Sequence, residues 1–304
     1  MKRKDKYSGI FPAFYACYDD NGSVSPERVR ALTRFLLGKG VQGLYVGGSS
    51  GECIYQSIAD RELTLESVMA EAKGKAVVIA HVACNNTQDS MELAAHAERL
   101  GVDAIASIPP IYFHLPEHAI AAYWNDISSA GPNTDFVIYN IPQLAGVSLT
   151  QSLLREMLKN PNVVGVKNSS MPVQDIQIFN DMGGDDFVVF NGPDEQFLSG
   201  LAAGATAGIG GTYAVMPELF KKIYALYGEG RMPEARAIQN EVCRIIYRFC
   251  GTHGNMYAAT KAILKKQGVE VGGVRSPLAP LVEADLAIVD ASCDMIEEAK
   301  AKYL

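Results

Sequence analysis

The sequence predicts an α/β fold, a (β/α)8 barrel followed by a C-terminal helical extension. Three observations carry this. Apolar, β-branched runs recur eight times by about residue 210, helix signals separate most of them, and the runs are apolar enough to be covered on both faces, as parallel strands are. A barrel of this kind takes about 200 to 250 residues, so a chain of 304 holds one with a tail to spare.

The first strand runs over about 8 to 17 (SGIFPAFYAC), and Ser25-Pro26 opens a helix with serine as N-cap and proline in its first turn. The second, 43 to 48 (GLYVGG), leads to Ser57-Ile58-Ala59-Asp60, a capping-box-like start for RELTLESVMAEAKGK. The third, 76 to 83 (AVVIAHVA), precedes a helix from Thr87 through MELAAHAERLG, and the fourth, 102 to 108, one from Glu117 to Ser129. The fifth, 135 to 141 (DFVIYNI), and sixth, 163 to 168 (VVGVKN), are followed by helices over Thr150 to Lys159 and Pro172 to Met182. The seventh and eighth are 187 to 191 and 206 to 210. Beyond them the pattern is helical only. PELFKKIYALYGEG serves as the eighth barrel helix, dividing the chain into a barrel over 1–228 and an extension over 229–304, with no linker between.

A composition of 48% hydrophobic and 20% charged residues is that of a globular protein. The net charge of -7 argues against nucleic acid or an anionic membrane as partner. MKRKDKYSGIF has the charge of a signal peptide without its apolar core, and no run is long enough to span a bilayer, so the expected location is the cytoplasm. Cys17, Cys53, Cys84, Cys243, Cys250 and Cys293 are scattered without a metal or disulfide spacing.

Active sites of such barrels sit at the C-terminal ends of the strands. There the second strand runs into Gly47-Gly48-Ser49-Ser50-Gly51-Glu52, the fifth into Tyr139-Asn140-Ile141-Pro142, the sixth into Lys167-Asn168-Ser169-Ser170 and the seventh into Asn191-Gly192-Pro193-Asp194-Glu195. Lys167 stands where another valine would fit. A lysine amine in water is almost wholly protonated at pH 7, whereas one removed from water is favoured as the neutral nucleophile that attacks a carbonyl carbon. A strand-end lysine also snorkels or pairs with a carboxylate, so this residue alone leaves both roles open. The GGSSGE loop offers amides and hydroxyls to an anion but lacks the GKS/T of a P-loop; glycines and serines in a loop more often make just a turn. Tyr139 can move a proton or simply fill the core. Asp194 and Glu195 can bind a polyhydroxylated substrate or cap the next helix. His114 and His118 have i, i+4 spacing but enclose Pro116 and lack HExxH, so catalysis with no metal and no cofactor is expected.

These stretches, with SIPPIYFHLPEH, VIYNIPQLAGVSLT and FNGPDEQFLSGLAAGATAGIGGTY, resemble the dihydrodipicolinate synthase and N-acetylneuraminate lyase superfamily over essentially the whole chain. The resemblance is closer to the sialic acid lyases, because the arginine that the synthases carry in the YNIP segment is replaced by Leu144. It implies a 2-keto acid substrate whose keto carbon forms a Schiff base with Lys167 and whose carboxylate is held by Ser49, Ser50 and the adjoining amides. It gives Tyr139 the C4 hydroxyl proton as the C3–C4 bond breaks. Ser169, Gly192, Asp194 and Glu195 match positions that contact the sugar chain. Tyr112 matches a tyrosine that reaches a neighbouring subunit's site, which implies a homotetramer.

One position departs from the lyases: GIGSTYN reads GIGGTYA here, so Gly211 stands in place of a serine that touches the distal hydroxyls. N-acetylneuraminate is the leading substrate, and another 2-keto-3-deoxy sugar acid the next. Condensation of pyruvate with aspartate semialdehyde is disfavoured by Leu144, and a non-catalytic barrel by the joint presence of Lys167, Tyr139 and the serine pair.

Overall fold

The computed structural model describes residues 2–304. The predicted barrel is observed. Its eight parallel strands are β1 (Gly9–Pro12), β2 (Gly43–Val46), β3 (Val77–His81), β4 (Ala104–Ser107), β5 (Asp135–Asn140), β6 (Val163–Asn168), β7 (Val188–Asn191) and β8 (Ala207–Gly210). From β2 to β8 each strand pairs with the next, and β1 pairs with β8. The ring closes between β1 and β2, where Gln42 N donates to Ile10 O at 3.1 Å and Phe14 N to Tyr45 O at 2.8 Å. The first strand is shorter than expected, ending at Pro12; Ala13 then makes an isolated bridge to Tyr45.

Helix starts follow the local chemistry read from the sequence. Ser25 accepts from Arg28 N ahead of Pro26–Gly38, and Ser57 and Asp60 form a reciprocal capping box on Ile58–Ala72. Thr150 caps Gln151–Met157. Three short α-helices were not foreseen, of which Pro142–Ala145 follows β5. Another, Phe197–Ala202, joins β7 to β8, and Arg3–Lys6 precedes Tyr7, which plugs the N-terminal end of the barrel and donates to Asp135 Oδ2 at 2.7 Å.

The barrel interior is filled by Tyr7, Phe11, Tyr45, Ile79, Val137, Val164, Phe190 and their neighbours, while a larger core lies between strands and helices. One irregularity positions the site. Phe136 pairs with Val163 but Val137 pairs with Gly165, so Val164 is an extra residue in β6. Strand side chains alternate with period two, and Val164 packs inside while Val166 packs outside. The bulge therefore turns Lys167 inward; without it the alternation would aim this lysine at the helices. Gly165 permits the bulge, because a Cβ there would stand 2.3 Å from Val188 O.

The helices Met232–Phe249, Met256–Lys266 and Leu286–Tyr303 follow the barrel. Two of them reach its mouth: Ile246, Met256 and Tyr257 line the cavity described next. No described helix is long and apolar enough to cross a membrane.

Candidate active site

Lys167 is the centre of the mouth. It pairs in register with Tyr139 on one side and Phe190 on the other, so all three side chains face the interior. It is 4% exposed, and its Nζ lies 3.9 Å from the centre of the Tyr139 ring and 4.1 Å from that of Tyr45. Among the described residues it makes no ion pair; the two aromatic faces are its polar environment. The pairing that would make it structural is missing.

The GGSSGE loop borders the same space. The carbonyls of Gly48, Ser49 and Ser50 accept from Cys53 N (3.4 Å), Glu52 N (2.9 Å) and Ala16 N (3.1 Å), and that of Gly47 lies 2.8 Å from His81 Nδ1. The amides of Gly48, Ser49 and Ser50 have no protein acceptor among the described residues. With these four carbonyls engaged and these amides free, the loop presents donors to an anion. Gly47 has φ of +77°, a conformation glycine adopts without strain.

Two adjoining cavities, of about 230 Å³ and about 410 Å³, share Ser49, Tyr139, Ile141, Leu144, Met256 and Tyr257. The smaller also takes in Ser50, Lys167, Ser169, Gly192, Asp194, Glu195 and Gly211, so the structure brings these predicted residues together. Gly192 has no room for a side chain, since a Cβ would fall 2.0 Å from Ser169 Oγ. Leu144, where the synthases carry arginine, is exposed at the rim.

Asp194 does not cap the following helix. Its Oδ2 accepts from Thr212 N at 2.7 Å and Thr212 Oγ1 at 2.5 Å, which holds it under β8. Burial pushes its carboxyl up to about 7, against the pull of the Thr212 hydrogen bonds and with a push from Glu195. From outside the barrel, Gln239 Nε2 donates to the carbonyls of Asp194 and Glu195 at 3.1 and 3.2 Å.

Tyr112 lines neither of these two cavities. It is 86% exposed, has φ of +83°, and packs edge-on against Phe113 at 5.0 Å. His114 precedes Pro116 and lies outside the helix that begins at Glu117, so His114 and His118 do not share a helical face.

Sequence reasoning missed Tyr45, His81 and Tyr257. The first two were findable by the rule that exposed Lys167, a polar side chain near the end of an apolar strand. Tyr257 carries no such signal. It comes from the extension and packs edge-on against Tyr15 at 5.9 Å.

Fold and site together define a (β/α)8 barrel whose mouth carries an unpaired buried lysine, a tyrosine against it and an anion-binding loop, the equipment for imine chemistry on a small keto acid. The sequence profile described as the dihydrodipicolinate synthetase family matches residues 6–293, and the chain belongs to that family. It is 63% identical, over all of its length and 97% of the relative's, to an N-acetylneuraminate lyase of Mediterraneibacter gnavus. An N-acetylneuraminate lyase of Salmonella agona is 35% identical, over 96% of this chain and 98% of its own. Among solved structures, a Ruminococcus gnavus sialic acid aldolase in its catalytic lysine mutant form superposes with a TM-score of 0.99 at 63% identity, covering both chains completely.

Proposed function

We propose that this protein is a carbon–carbon lyase, a Schiff-base aldolase that cleaves N-acetylneuraminate to pyruvate and N-acetylmannosamine. The observation that carries the reading is Lys167, buried without an ion-pair partner against the face of Tyr139. Relatives named for this activity at 63% and 35% identity over nearly the whole chain support the substrate.

The chemistry follows from the layout. The Lys167 amine adds to the C2 keto carbon of the open-chain sugar acid, and loss of water gives an iminium. The Ser49 and Ser50 amides and hydroxyls hold the neighbouring carboxylate, fixing C2 over the amine. The Tyr139 oxygen accepts the C4 hydroxyl proton; C4 becomes the aldehyde carbon as the C3–C4 bond breaks, and its electron pair passes through C3 into the iminium to give an enamine. Protonation at C3 and hydrolysis release pyruvate and restore the amine. Asp194, Glu195, Ser169 and Gly192 border the space left for the hydroxylated chain.

The protein acts as a homotetramer in the cytoplasm. The exposed Tyr112–Phe113 pair beside the larger cavity supports the first, as a feature that a second subunit would cover, and six unpaired thiols support the second. Sedimentation tests the assembly: a tetramer that Tyr112→Ala with Phe113→Ala weakens is expected, and a monomer at micromolar concentration overturns it.

Incubation with pyruvate and borohydride tests the reaction. A reduced adduct at Lys167, absent from Lys167→Ala, is expected; no adduct, or one that survives that substitution, refutes the assignment. Pyruvate release from N-acetylneuraminate should exceed that from 2-keto-3-deoxygluconate, and equal rates would overturn the substrate.

A further inference from the structure

Three of the four carbonyls that orient the anion-binding loop are held by backbone N–H groups. The fourth, that of Gly47, is held by a side chain, His81, at the end of β3. A carbonyl oxygen only accepts, so Nδ1 carries the proton and Nε2 is bare. His81 is buried, its Nε2 has no partner among the described residues, and its ring packs edge-on to Tyr139 at 6.0 Å and tilted to Tyr45 at 6.2 Å. Its own carbonyl is fixed in turn by Arg61 Nη2 at 2.6 Å.

We propose that His81 is a positioning residue for the carboxylate of the substrate: its Nδ1–H, by holding the Gly47 carbonyl, keeps the amides of Gly48, Ser49 and Ser50 turned toward the anion. The inference rests on the aldolase reading above and adds a residue to it. Burial, with Arg61 and Lys167 nearby, lowers the ring's pKa to about 3, so the ring stays neutral at physiological pH and keeps the single proton that the Gly47 contact needs. That contact occupies the proton, so His81 has none to give the substrate. His81 lines the larger cavity and acts through the loop beside it.

Two substitutions separate this role from simple packing. In His81→Asn the amide N–H falls where Nδ1 stood, and in His81→Gln the amide falls near the Nε2 position and leaves Gly47 unheld. The readouts are the pyruvate concentration giving half-maximal borohydride-trapped adduct, KM and kcat for sugar-acid cleavage, and the melting temperature. Loss of one buried hydrogen bond that shapes the loop should raise the half-trapping concentration and KM about tenfold in His81→Gln, with kcat changed much less. His81→Asn should restore both to within about threefold of wild type. Equal defects in the two folded variants, wild-type trapping in His81→Gln, or a fall in kcat at unchanged KM would each overturn the proposal. Absence of any adduct in the wild-type protein would instead refute the aldolase reading itself.

Discussion

Lys261 Nζ lies 2.6 Å from Glu52 Oε1, and both side chains are almost completely removed from solvent. Glu52 closes the anion-binding loop in the left-handed region, at φ of +54°, and Lys261 belongs to the helical extension. Glu52 Oε2 also accepts from Arg275 N at 2.9 Å and Tyr18 OH at 3.2 Å, and Lys261 reaches the Gly273 carbonyl. The extension is thus tied to the loop through a buried ion pair whose remaining valences are satisfied. Removing one partner leaves the other charged and unpaired, so Lys261→Met should destabilise the fold by about 3 to 5 kcal/mol in denaturant unfolding. Lys261→Met with Glu52→Gln should recover a large part of that loss. A double variant no more stable than the single one would show that the pair is not coupled.

Tyr139 separates imine formation from bond cleavage. Its ring stays in place in Tyr139→Phe, so Lys167 keeps its aromatic face and the carboxylate loop is untouched. Pyruvate should still be trapped on Lys167 by borohydride, while kcat for cleavage falls on the order of 10²- to 10⁴-fold for want of a proton acceptor at C4. Loss of trapping in step with kcat would assign the tyrosine to the imine instead.

Asp194 makes stability depend on pH. Its carboxyl is raised from 3.8 to about 7 on folding, chiefly by burial. Between those values the folded state binds a proton that the unfolded chain has lost, so stability declines as pH rises from about 4 to about 7. The contribution is fully present below the lower value. In Asp194→Asn this part of the dependence disappears, and the melting temperature of the variant relative to wild type should rise between pH 5 and pH 8. A difference that stays flat over that window would mean the carboxyl is ionised throughout.

Much of this site was legible because barrel geometry converts strand ends into one mouth. Lys167 showed itself as a charge in an apolar strand, and the glycine-serine loop as donors without a phosphate motif. What turns Lys167 inward was not legible: a strict two-residue alternation from Val164 sends it outward, and the bulge appears only in the register with Val137. His81 carried the same local signal as Lys167, but a single histidine in an apolar run says nothing of the Gly47 carbonyl it holds. Tyr257 lines the mouth and Gln239 holds the Asp194 and Glu195 carbonyls, both from far along the chain, and long-range contacts leave no periodicity to read. The short helix Phe197–Ala202 escaped for a local reason, since its six residues, with Ser199 and Gly200 among them, are too few and too weak in helix propensity to signal one.

Gly211 is the position at which substrate preference can be moved. It has an ordinary helical φ of −69°, so the backbone accepts a side chain there. A Cβ would come 3.1 Å from Ser50 Oγ and 3.3 Å from Tyr15 OH, and Ser50 relieves the closer contact by rotating. Serine at this position returns a hydroxyl to the wall of the cavity facing the sugar chain, and one such contact is worth about 1 kcal/mol. In Gly211→Ser, KM for N-acetylneuraminate should fall about fivefold, with the pyruvate concentration for half-maximal trapping unchanged, because the new hydroxyl meets the sugar and not the keto acid. If trapping weakens instead, the added Cβ has displaced Ser50, and the close packing of Gly211 protects the carboxylate loop rather than tuning the sugar.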